Sequence, residues 1–186
     1  MGSMDVVQVM MRRRSTNHLV DPAPNKDEIR TCLAAAGAAP DHGRLRPWRF
    51  IELRGAAKTS FGEILVQALK QRCETSDELI ERERTKLDRA PLVLVSVASP
   101  TEGKIPAIEQ VCAVAAATQN LILCATALGY GSMWRTGQAC YDDEVKDALG
   151  LHPTDHIVGF IYLGSLATPL RPRGDVLVPF HSWEPR

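Results

Sequence analysis

The chain has 186 residues, of which 45% are hydrophobic and 24% charged, and its 22 Lys+Arg balance 22 Asp+Glu to a formal net charge of +0. At about 100 to 200 residues per domain, this length gives one domain over residues 1–186, and the composition excludes a disordered chain, a collagen-like fibre and a disulfide mini-protein. Zero net charge supplies no global field toward nucleic acid or an anionic membrane, so neither is an expected partner and any anion site must be local.

The amino terminus lacks the apolar stretch of a secretory signal. Met1-Gly2-Ser3 reads as a cloning remnant ahead of a native Met4, and Val6 stands where a myristoylation motif needs Ser or Thr. Val6, Val7, Val9 and Met10 have helical spacing, which predicts a short helix over residues 5–14 that breaks into three arginines. Asn25, followed three residues later by Glu28, is a capping-box start for a helix running to about Gly37. Pro and Gly then make 39–47 a loop that feeds a strand over 48–53.

Two charged helices follow, one over 58–72 and one beginning near Ser76, with 81–84 as a solvated face. Residues 91–98 are short, apolar and β-rich, which predicts a central strand. Residues 107–128 are almost all apolar or small and predict a helix about 33 Å long. Glu109, Gln110, Gln119 and Asn120 argue against a lipid-facing span and for burial in a core or a subunit interface. Gly129-Tyr130-Gly131 ends that helix, and 132–137 read as a polar, glycine-flanked turn. Asp142 or Asp143 caps a short helix to Leu149, 157–163 form the next strand, and the last twenty residues are a disordered tail or an extended arm.

The cysteines Cys32, Cys73, Cys112, Cys124 and Cys140 are odd in number, widely spaced and without a C-x-x-C pair. They predict neither a disulfide framework nor a metal site, and they fit a reducing cytoplasm. Cys112 and Cys124, inside the apolar helix, read as buried small hydrophobes, and Trp48 and Trp183 as packing residues.

Two clusters could carry chemistry. Arg12-Arg13-Arg14-Ser15 and Trp134-Arg135-Thr136-Gly137 each combine arginine forks with a hydroxyl, the donor set of a phosphate dianion. The competing readings are a helix C-terminus complemented by cations and an ordinary turn around a packed Trp. His42, in the 40–47 loop, has no partner defined by the sequence. No G-x-S-x-G, G-x-x-x-x-G-K-[ST], H-E-x-x-H or G-x-G-x-x-G occurs, which removes the main supports of hydrolase, P-loop, zincin and Rossmann readings.

Arg13-Arg14-Ser15, Ala39-Pro40-Asp41-His42 leading to Pro47-Trp48-Arg49-Phe50, Trp134-Arg135-Thr136-Gly137 and the 157–164 run stand in an order and spacing that resemble the FMN-dependent nitroreductases, in particular their short members. The resemblance implies an α+β fold, a mixed β-sheet flanked by helices, in an interlocked homodimer with FMN at the subunit interface. The apolar helix would form the interface core, and an arm from about residue 165 to 186 would embrace the partner.

By the same resemblance, the cofactor-binding residues are Arg13, Arg14, Ser15, Trp134, Arg135 and Thr136 from one subunit and His42 from the other, with Arg14 near the flavin N1 and O2 edge. Relatives also place a lysine near the flavin, which no motif locates in this chain. The implied activity is ping-pong hydride transfer from NADH or NADPH to a nitroaromatic, quinone or related electron-poor small molecule. Flavin N5 carries the chemistry and no side chain need act as acid or base. Two alternatives remain at this point, an FMN storage, sensing or delivery protein without significant turnover and a non-flavin dimeric interaction protein.

Overall fold

The computed structural model describes residues 5–73, 75–170, 174 and 176–183. Every residue of β3 (Leu92–Ala98) is buried, as its unbroken apolar run requires. It lies between β2 (Trp48–Arg54) and β5 (His156–Leu166) in a five-stranded sheet, and β5 pairs in addition with β1 (Leu19–Val20) and β4 (Gly131–Arg135). All four strand pairs are antiparallel, and the parallel component is the single bridge Ser15↔Ser132.

Alternation along β3 divides the core in two. Val93, Val95 and Val97 face a cluster that includes Phe61, Leu65, Phe160 and Tyr162. Leu92 and Leu94 face the other, with Ile29, Cys32, Ala117, Leu121 and Ile161. Each fully buried Leu, Val or Phe contributes about 1.5–3 kcal/mol relative to exposure, so both faces of the sheet are held by helices.

On the first face lie α3 (Ala56–Arg72), α4 (Asp77–Arg84), capped by Ser76, and α6 (Asp143–Ala148). On the second lie α2 (Lys26–Gly37) and α5 (Ala107–Ala127). The capping box forms as expected: Asn25 Oδ1 accepts from the backbone of Asp27 and Glu28, and Glu28 Oε2 accepts from the Asn25 N–H. The first helix, α1 (Val6–Arg12), leaves Val6, Val7, Met10 and Met11 exposed.

Several expectations change. Residues 131–135 are a strand rather than part of a turn, because their backbone groups pair with Phe160 to Gly164 of β5, a partner that local glycine content does not reveal. Asp142 occupies the N-cap of α6 but makes no capping bond; its carboxylate pairs with Arg72. Burial pushes that carboxyl upward against the opposing pull of Arg72.

The long helix is covered on one face only, where Gln110, Ala113, Val114, Ala117, Leu121 and Ala125 are buried and Ile108 and Cys112 are exposed. Within the single chain Cys112 is exposed and Cys124 half-buried. Among the described residues α5 is the one helix long and apolar enough to cross a membrane, and its buried face packs on α2 and the sheet.

β5 ends at Leu166, and the chain leaves the sheet there, near the start expected for the arm. The described part of the tail has no helix or strand and leaves Leu177, Phe180 and Trp183 exposed, so Trp183 is not part of the core formed by the described residues. Residues 1–3, read as a cloning remnant, and 171–173, 175 and 184–186 of the tail lie outside the described residues.

Candidate functional site

The two arginine clusters meet. Beyond α1 the chain runs beside β4, where Ser15 bridges Ser132 and the Thr16 N–H donates to the Ser132 carbonyl at 3.1 Å. Two positions further on, Arg135 Nη2 donates to Asn17 Oδ1 at 2.8 Å. Segments 13–17 and 132–136 thus form one edge, with hydroxyls and guanidinium groups along it.

Each side chain has a definable role in that edge. Arg13 Nη1 lies 3.4 Å from Ser15 Oγ. Arg14 Nη1 donates to the carbonyls of Met11 and Arg13 at 2.7 and 2.9 Å, satisfying the end of α1 as a cation at a helix C-terminus does. A guanidinium carries five N–H donors, so this leaves capacity for a ligand. Trp134 points to the α2 and α5 face, where its Nε1 donates to the Val158 carbonyl at 3.1 Å. Gly159 makes that possible, since a Cβ there would run into the indole nitrogen and lie 2.9 Å from the Arg135 carbonyl.

Arg135 alternates to the other face, with its guanidinium carbon 5.7 Å from the centre of the Tyr162 ring. Burial pushes the Tyr162 hydroxyl up to about 12, opposed by Arg135. Thr136 is exposed at the end of the strand. It borders a small cavity together with Lys86, Arg135, Phe160 and Tyr162. Lys86 is ion-paired to Glu83 at 2.7 Å.

His42 stands elsewhere. It opens the short 3-10 helix His42–Arg44, and its Nδ1 lies 2.7 Å from Glu109 Oε2 in the first turn of α5. The pair borders an open groove of about 380 Å³, also lined by Pro40, Ile108, Cys112 and Ala116. Its partner is Glu109, not the arginine edge; within one chain the segments that carry the other six expected residues lie side by side, with Trp134 and Arg135 on opposite faces of the strand, and His42 stands apart.

Sequence reasoning missed Asn17, Lys86 and Glu109. None sits in a short motif; Asn17 and Glu109 enter through contacts with residues remote in sequence, and Lys86, paired with Glu83 three residues away, enters through the cavity it borders with Arg135. Among the described residues no group of three or more His, Cys, Asp or Glu could hold a metal. The donor set at the edge, two or more arginines with Ser15 and Thr136, matches the chemistry of a phosphate ester.

The sequence profile described as "Nitroreductase family" matches residues 10–165. The chain is 34% identical over 163 residues to "Putative NAD(P)H nitroreductase YdjA" of Escherichia coli (strain K12), covering 87% of this chain and 88% of that protein. Its fold is similar to a nitroreductase-like family protein from Bacillus cereus, with a TM-score of 0.81, 25% identity and coverage of 96% and 94% of the two chains. It is similar also to a nitroreductase with bound FMN from Bacteroides fragilis, with a TM-score of 0.72, 22% identity and coverage of 94% and 95%.

Proposed function

The chain belongs to the nitroreductase family, and from that premise we propose that it is an FMN-dependent NAD(P)H oxidoreductase acting on nitroaromatic, quinone or related electron-poor acceptors. The observation that carries this reading is the joining of Arg13-Arg14-Ser15 to Trp134-Arg135-Thr136 through the Ser15↔Ser132 bridge and the Asn17–Arg135 hydrogen bond. Bound FMN supplies hydride chemistry, from NADH or NADPH to the acceptor.

The chain's own residues bind and orient. Arg13, Ser15, Arg135 and Thr136 hold the phosphate through charge-assisted hydrogen bonds. Arg14 offers its remaining donors toward the anionic edge of the cofactor, and Trp134, whose indole N–H serves Val158, contributes through its backbone. Lys86, beside Arg135 and Thr136, is the lysine best placed to approach the ring system.

His42 comes from the second subunit of a homodimer. Exposed Val6, Val7, Met10 and Met11 on α1 and Ile108 on α5 support such an interface, since apolar side chains on neighbouring helices favour burial against another surface. The single domain, with a tail beyond β5 laid over the partner, and a cytoplasmic site for its five free cysteines complete the reading.

An anaerobic NAD(P)H titration of the FMN-loaded protein, followed by visible absorbance, tests it. Bleaching of bound FMN that a nitroaromatic or quinone reverses supports the reductase. Flavin that stays bound and oxidised overturns it in favour of a storage or sensing protein, and failure to retain FMN overturns the site.

A further inference from the structure

The contact between His42 and Glu109 spans 67 positions of sequence and joins a loop to the first turn of a 21-residue helix. A carboxylate only accepts hydrogen bonds, so the proton of a neutral imidazole at this contact resides on Nδ1 and the nitrogen left for a ligand is Nε2. The neighbouring acid does not compete for the ring: Asp41 Oδ2 accepts the Arg46 backbone N–H at 2.7 Å. The titratable groups bordering the groove around His42 are Asp41, Glu109 and Cys112.

The next residue of α5 fixes the segment 101–105, whose Ile105 meets the His42 loop. Gln110 is buried, with Oε1 3.0 Å from the Thr101 N–H and Nε2 2.9 and 3.1 Å from the carbonyls of Thr101 and Ile105. The Ile105 side chain lies against Gly43, whose φ of 76° favours glycine there. Backbone and ring of the His42 loop are therefore both referred to one helical turn.

We propose that Glu109 is the positioning residue for His42, holding its ring in one tautomer so that Nε2 is presented to the cofactor. This rests on the reading that His42 meets FMN, and it adds a residue that does not itself touch the flavin. The order of effects follows: without Glu109 the imidazole rotates and exchanges tautomers, and a ligand must fix both on binding.

The test uses the full chain, titrated with FMN and read by flavin fluorescence, for Glu109→Ala, Glu109→Gln, His42→Ala and the double Ala variant. Loss of one hydrogen bond predicts up to about tenfold weaker FMN binding for His42→Ala, and a smaller but measurable loss for Glu109→Ala, whose contact with the ring is partly exposed. The double variant should be no weaker than the weaker single one, because the two residues act as a unit. Gln, whose amide oxygen still accepts from Nδ1, should stay within about threefold of the unaltered chain.

Long-range proton–nitrogen spectra of histidine-labelled protein should show His42 protonated on Nδ1 in the unaltered chain and not in Glu109→Ala. Unchanged FMN affinity in Glu109→Ala, additive losses in the double variant, or an unaltered His42 tautomer would each overturn the proposal. A His42→Ala chain that binds FMN like the unaltered one removes the contact on which it rests and overturns it with that part of the reading, while FMN binding by the unaltered chain stands as a separate result.

Discussion

Arg135 Nη2 lies 2.8 Å from Asn17 Oδ1, a contact between residues 118 positions apart that ties the segment after α1 to the end of β4. Arg135 is also held over the Tyr162 ring, so its guanidinium is oriented from two sides. Arg135→Ala should weaken FMN binding at least about tenfold, the loss of a charge-assisted hydrogen bond. Arg135→Lys should not restore it, since a point charge cannot reproduce the planar fork. Fluorescence titration measures both, and wild-type affinity in Arg135→Ala would remove the phosphate assignment.

Ser96 and Thr118 are both fully buried, and their hydroxyl oxygens are 2.6 Å apart between β3 and α5. Thr118 also donates to the Val114 carbonyl. Thr118→Val leaves the Ser96 hydroxyl without its partner in an apolar core and should cost about 1–3 kcal/mol. Ser96→Ala combined with Thr118→Val should recover part of that loss. Urea unfolding of Ser96→Ala, Thr118→Val and the double variant checks the expectation, and strict additivity would contradict it.

Burial pushes the Cys140 thiol up to about 11 from an ordinary 9.0. The unfolded chain then releases this proton first as pH rises, so the group's contribution to stability is complete below pH 9 and is lost as pH climbs toward 11. Thermal melts between those values should fall less steeply for Cys140→Ala. At pH 8 an aromatic disulfide reagent should modify exposed Cys73 at once and reach buried Cys32 and Cys140 only on unfolding. Immediate reaction of all five thiols would contradict the burial.

The sequence exposed what is local. Asn25 and Glu28 announce α2 because a capping box lies within four residues, and the uninterrupted apolar run at 92–98 announces a strand covered on both faces. The segment 131–135 was opaque because its strand character comes from pairing with β5 and its glycine flanks imitate a turn. In the site, the arginine and hydroxyl clusters were legible as donor sets. Their meeting depends on a bridge between Ser15 and Ser132 that neither segment encodes alone. Asn17 and Glu109, common polar residues in no motif, become meaningful only through the side chains they hold.

The late position of β5 sets the order in which the chain can assemble during synthesis. Among the described residues β1 and β4 pair with no strand but β5, whereas β2 and β3 can pair before residues 156–166 leave the ribosome. Until then one edge of β3 is open, a row of unmatched backbone groups flanked by Val and Leu side chains and suited to capture by another chain. Translation speed over the segment between β3 and β5 therefore governs how long that edge is exposed, and slowing it should raise the share of nascent chains that depend on chaperones.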